Sequence, residues 1–190
     1  MTMRIILQVA IAVVIALAGP AAVQAQALPI DEVRGGLFAH SVDEPGPGDA
    51  FWNVTRIQDA NVELLFTPLQ GDIWSVIGAP RPHLGATINL GGLESMVYGG
   101  LSWTRQVFDT PLFIEGTFGA ALSNGADTGA IYPARNLGCP FLFRQSASLG
   151  YQVTPEASVM LTLEHASHAY VCGEDNRGLT NLGVRFGMKF

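Results

Sequence analysis

Charge is scarce in this chain: Asp, Glu, Lys and Arg make up 14% of its 190 residues, against roughly a quarter in an ordinary soluble domain. Ten basic residues face sixteen acidic ones, a net charge of -6, and the basic ones form no cluster. Neutralising a phosphate backbone needs such clusters, so nucleic acid is excluded as a partner. Cysteine is limited to Cys139 and Cys172, which leaves too few partners for a catalytic cysteine or a metal pair. His40, His83 and His168 are scattered, with no ligand spacing that demands zinc or another metal. No cofactor is expected. After the N-terminal stretch the chain also lacks any run of about 18 apolar residues, the length a helix needs to cross a bilayer.

The N-terminus itself reads Met-Thr-Met-Arg, then an apolar run from Ile5 to Ala18, then Gly19-Pro20 and small residues from Ala21 to Ala27. That is the pattern of a secretory signal peptide. Cleavage after Ala25 or Ala27 divides the chain into a signal of residues 1–25, or 1–27, and one domain that continues to residue 190. Export without a helical anchor leaves the periplasm, the outer membrane or secretion as destinations. Apolar content is 48%, with 22 glycines and ten phenylalanines. Glycines relieve crowding in curved strands and aromatics suit membrane interfaces, so the composition leans toward a membrane β-barrel.

Alternating segments separated by turn residues predict eight strands, at Val33–His40, Asn61–Pro68, Pro82–Leu90, Met96–Val107, Leu112–Leu122, Phe141–Val153, Ala157–Ala169 and Gly178–Phe190. The expected fold is all-β, an eight-stranded antiparallel transmembrane barrel, the smallest common kind. Ser41–Ala60, Ser123–Pro140 and Tyr170–Arg177 would be long outward loops. Gly71–Arg81 is also long but falls on the inner side, against the usual asymmetry. Pro45-Gly46-Pro47-Gly48-Asp49 reads as a loop tip, and Asn53-Val54-Thr55 matches a glycosylation sequon only formally. The final strand alternates Leu182, Val184, Phe186, Met188 and Phe190 with Asn181, Gly183, Arg185, Gly187 and Lys189. An amphipathic edge strand of a soluble sandwich would show the same pattern, but barrel closure removes the exposed edge.

The most informative pair is His165 and Ser167. Strand periodicity places both on the face of Val159, Leu161 and Leu163, while Met160, Thr162, Glu164 and Ala166 take the other. If the apolar row meets lipid, a nucleophile and its base lie at the lipid boundary, within reach of an acyl ester. A serine hydroxyl is a weak nucleophile until a base takes its proton, and residues at i and i+2 of a strand share a face. By the same parity Glu164 and Arg185 face the lumen, where an ion-pair network is expected, and His168 is a lumen-side structural donor.

From Glu164 the chain runs Glu-His-Ala-Ser-His-Ala-Tyr-Val-Cys-Gly-Glu-Asp-Asn-Arg-Gly-Leu-Thr-Asn-Leu-Gly-Val-Arg-Phe-Gly-Met-Lys-Phe. This segment resembles the PagL-like lipid A 3-O-deacylases, a family of outer-membrane barrels with a His-x-Ser-Asn-Ala segment, an Asn-x-Gly loop and a closing strand ending in Phe. The resemblance is densest over residues 164–190, weaker over 137–151, and little more than strand pattern before about residue 110. It implies Ser167 as nucleophile, His165 as general base and Asn176 as oxyanion donor, acting on lipid A in the outer leaflet; such a site needs only one chain, so a monomer is expected. Two positions depart from the family pattern. Its Asn after the Ser is His168 here, and its carboxylate falls on Thr180. A carboxylate orients the imidazole and stabilises its cation, so the third catalytic position stays open among Thr180, a water, and a swing of Glu174 or Asp175. A catalytically silent structural or adhesive barrel and a phospholipid esterase barrel are the alternative readings. In an oxidising compartment Cys139 and Cys172, both in outward loops, would either form a disulfide or remain two free thiols.

Overall fold

The computed structural model describes residues 29–44 and 52–190. The signal segment and the loop tip from Pro45 to Asp49 lie outside the described residues. Eight strands follow one another around a closed barrel: β1 (Ile30–Ala39), β2 (Ile57–Phe66), β3 (Arg81–Asn89), β4 (Met96–Gln106), β5 (Leu112–Ser123), β6 (Phe141–Gln152), β7 (Ala157–Ser167) and β8 (Leu179–Lys189). Each pairs antiparallel with the next, and β8 returns to β1 through the register Leu37 opposite Val184. Closure gives every strand two hydrogen-bonded neighbours, which is what allows a sheet to stand in hydrocarbon. Among the described residues no helix is long and apolar enough to cross a membrane, a fact that does not bear on strands.

The predicted strands coincide with the observed ones to within a few residues. The inner connection from β2 to β3, which reads as an oversized loop, contains a short helix, α1 (Asp72–Val76). Trp103 of β4 donates its indole N–H to the carbonyl of Ile77 at 2.8 Å and ties this segment to the wall.

Period-2 alternation sorts the side chains. Leu84, Val97, Ile114, Phe118, Leu122, Leu149, Leu161 and Phe186 are exposed on the outer surface, while the inner faces carry buried charge. Arg34 forks onto both oxygens of Glu115 at 2.5 and 2.8 Å and also reaches Glu32 at 2.7 Å. Arg185 pairs with Glu63 at 2.8 Å, and Arg144 with Glu164 at 2.6 Å while its guanidinium lies 3.5 Å from the centre of the Tyr98 ring. Each buried charge therefore has an opposite partner, the condition under which charge survives burial. Above this network, toward the outer loops, Met96, Tyr98, Ala121, Leu137, Leu142, Ala166 and Leu179 form an apolar cluster.

Candidate functional site

Strand β7 holds its outward residues in place through its inward ones. Glu164 accepts hydrogen bonds from Arg144, from Thr87 at 3.1 Å and from Asn181 at 3.0 Å. Ala166 is buried in the apolar cluster. His168, just past the strand, is wholly buried among loop groups. With positions 164, 166 and 168 committed inward, His165 and Ser167 project from the outside of the wall, both half-buried.

His165 lies directly opposite Thr180 of β8 in the strand register. Facing residues of an antiparallel pair have their side chains close together, and the imidazole Nδ1 stands 2.8 Å from the Thr180 hydroxyl. Thr180 occupies an outward position yet is buried, because the segment after β1 folds across it. Ser41 adopts a left-handed conformation, φ 51, and turns the chain so that the Val42 N–H donates to the Thr180 carbonyl at 2.8 Å. The Ser41 N–H meets the Asn181 side chain at 2.9 Å. This arm brings Asp43 to the site, where the Thr180 hydroxyl donates to its Oδ2 at 2.7 Å.

These contacts settle the imidazole's tautomer. An ionised carboxylate only accepts, so Thr180 spends its single proton on Asp43 and must accept from His165. Nδ1 then carries the hydrogen, and Nε2 presents a lone pair. Gly178 lets the ring sit where it does. Its φ is +65, and a Cβ there would stand 2.8 Å from Cε1 and 3.2 Å from Nε2 of His165.

The second oxygen of Asp43 is held by Arg135 Nη1 at 2.5 Å. Arg135 comes from the loop between β5 and β6; its Nε lies 2.7 Å from Glu44, and its backbone N–H donates to Glu94 at 2.6 Å. Glu94 in turn accepts from His40, which also donates to Asp59. Burial opposes ionisation of Glu94, but the bonds from His40 and from the Arg135 backbone outweigh it and hold its carboxyl below the ordinary range.

Ser167 pairs across the sheet with Phe143 of β6. Among the described residues no hydrogen bond joins it to His165. Such contacts are often long before substrate arrives and tighten when it binds. Asn176 accepts from the His168 N–H through Oδ1 at 3.3 Å, an orientation that leaves its amide nitrogen as the end able to donate. His168 donates from Nε2 to the Asp175 carbonyl at 2.6 Å and accepts the Cys172 N–H at Nδ1, so it buttresses this loop. The sulfurs of Cys139 and Cys172 are bonded, which joins the loop to the one before β6. His168 lies close to both sulfurs, and the disulfide occupies the thiols that a metal would need. Of the carboxylates near in sequence, Glu164 points into the lumen and Asp175 contributes only its carbonyl. Asp43 was missed by sequence reasoning. It lies 137 residues from Thr180, and no local spacing marks it.

The family model described as lipid A 3-O-deacylase (PagL) matches residues 50–189 of the chain. Among solved structures, the crystal structure of the outer membrane enzyme PagL is similar with a TM-score of 0.61 at 16% identity, covering 84% of this chain and 99% of that one. A de novo designed transmembrane β-barrel is similar at a TM-score of 0.45 and 12% identity, covering 87% of this chain and 98% of that one. No curated protein sequence matches the chain.

Proposed function

Since the chain belongs to the PagL (lipid A 3-O-deacylase) family, we propose that it hydrolyses the ester-linked hydroxyacyl chain at the 3-position of lipid A, working as a monomer in the outer membrane to which its signal segment directs it. The observation that carries the reading is the outward projection of His165 and Ser167 from a barrel whose interior is filled with paired charge. Substrate can approach such a pair only from outside the wall. The surrounding surface is apolar, and the outer leaflet is where an ester-bearing lipid would meet it.

In this reading Nε2 of His165 takes the proton from the Ser167 hydroxyl as Oγ bonds to the ester carbonyl carbon. The carbonyl oxygen becomes an oxyanion, stabilised by a donor such as the Asn176 amide, an effect worth about 3 kcal/mol for one donor. Collapse breaks the bond to the sugar oxygen, which leaves with the proton from His165. A water then repeats the sequence on the acyl-serine, giving the free hydroxy acid and restoring Ser167. Across the sheet from Ser167 the register runs through Phe143, Ala120 and Gly99 to Leu84. Small residues in that row leave an apolar trough of about 600 Å³ whose walls include Leu84, Val97, Leu122 and Phe141, suited to hydrocarbon.

The test is to express the wild type and Ser167→Ala in cells with ester-acylated lipid A and weigh the extracted lipid. Loss of one hydroxyacyl mass with the wild type alone is expected. An unchanged lipid A mass from a folded wild-type barrel would refute the assignment. Release of fatty acid from phospholipid instead would redirect it to a phospholipid esterase.

A further inference from the structure

The family's carboxylate position is occupied by Thr180, yet a carboxylate stands one hydroxyl away. We propose that Asp43, delivered by the arm after β1, is the positioning carboxylate for His165 and acts through the Thr180 hydroxyl. The proposal rests on the reading of Ser167 and His165 as nucleophile and base.

The geometry supports it at each link. Asp43 accepts from Thr180 at 2.7 Å, and His165 Nδ1 lies 2.8 Å from the same hydroxyl. That polarity keeps the proton on Nδ1 and frees Nε2 for the serine, which is the orienting work a direct carboxylate performs. When His165 gains a second proton during the reaction, the negative charge behind Thr180 favours the cation. Both carboxylate oxygens are committed, one to Thr180 and one to Arg135, so Asp43 is aimed rather than merely nearby. The backbone bond from Val42 to Thr180 fixes the distance between arm and strand. The site is thus completed by a loop: catalysis requires the arm to be docked, whereas a carboxylate on β8 itself would impose no such demand.

The experiment uses the purified full-length barrel with ester-acylated lipid A in mixed micelles and follows release of hydroxy fatty acid. Asp43→Asn keeps the shape and removes the charge. A directly bonded triad carboxylate replaced in this way costs roughly 10⁴-fold in kcat. For a partner one bond further out, the expected loss is about ten- to a hundred-fold, the usual cost of removing an outer-shell partner. KM should stay nearly constant. Thr180→Val should fall as far, and the double variant D43N/T180V no further, since both cut the same path. The discriminating variant is Thr180→Glu, which places a carboxylate in direct reach of Nδ1: beside it the Asp43 charge is redundant and repelled, so in that background D43N should cost less than twofold or raise the rate. A merely structural role for Asp43 would persist there. Full activity of D43N, or an undiminished D43N penalty beside Glu at 180, overturns the proposal. Ser167→Ala is measured alongside. If it is inactive while D43N is unaffected, only the role of Asp43 falls; if it remains active, the hydrolase reading falls and this inference with it. Heat-modifiable gel migration confirms that each variant is a folded barrel.

Discussion

Gly178→Ala separates the position of the imidazole from the stability of the barrel. Two costs arise from the structure. At φ +65 an alanine occupies the left-handed region, which disfavours L side chains by about 1–2 kcal/mol. The new methyl would also stand 2.8 Å from Cε1 of His165 and 3.2 Å from the Ala166 carbonyl. Ordinary carbon contacts lie near 3.5–4.0 Å, so the ring must retreat by roughly 1 Å, enough to stretch its 2.8 Å bond to Thr180 past hydrogen-bonding length. Misplacement on that scale can cost about a hundred-fold in rate. Gly92 provides a matched control. It too has a positive φ, +83, but nothing lies within 4 Å of its would-be Cβ. Gly92→Ala should therefore carry the backbone strain alone. In urea titrations of the barrel refolded into lipid vesicles, Gly92→Ala should lose about 1–2 kcal/mol, the left-handed penalty, and Gly178→Ala that much plus the cost of the displaced ring. In the lipid A assay only Gly178→Ala should lose activity. Equal rates for the two variants would refute the claim that Gly178 seats the base.

Two further outcomes follow from the lumen and the loops. Arg144→Met removes the cation facing Glu164, which is fully buried; the stranded carboxylate should destabilise the barrel by about 3–5 kcal/mol, read from the shift in urea midpoint, and loosen β7 where His165 and Ser167 sit. Replacing Cys139 and Cys172 by Ser opens a loop spanning a sequence separation of 33, which the chain-entropy account values at about 3–4 kcal/mol. Because that bond anchors the loop bearing Asn176, the double variant should also lose rate more steeply with temperature than the wild type; parallel temperature profiles would show the loop is held by other contacts.

Strand positions were legible because burial in a barrel alternates with period 2 and turn residues punctuate it. Val159, Leu161 and Leu163 carry the outward parity that also fixes His165 and Ser167, and Glu164 and Arg185 carry the inward parity. The helix α1 was not legible: Asp72 to Val76 is too short for a helical period to show against its flanking Gly71 and Gly78. Asp43 was hidden for a different reason. Periodicity reports which way a residue faces within its own strand and contains nothing about which loop lies over it. Thr180 shows the limit: its parity is outward, as the alternation requires, yet it is buried, because Val42 and Asp43 fold across it.

The covering arm also explains why a threonine can stand where a carboxylate would be expected. A carboxylate at position 180 would face Asp43, placing two negative charges across one hydrogen bond's distance, a repulsion that suppresses ionisation of one of them. A hydroxyl instead donates to one neighbour and accepts from the other, so the arm's acid and the strand's threonine are mutually consistent. Arg135 completes the logic. It pairs with Asp43 and Glu44 together, and its backbone is tied to Glu94, so the acid is held in place by a cation that is itself anchored to the barrel's outer rim. Loops from three different strand connections thereby converge on one imidazole. The wall alone supplies the direction of His165 and Ser167, and the loops supply the charge that the proposed mechanism needs to make the pair a base and a nucleophile.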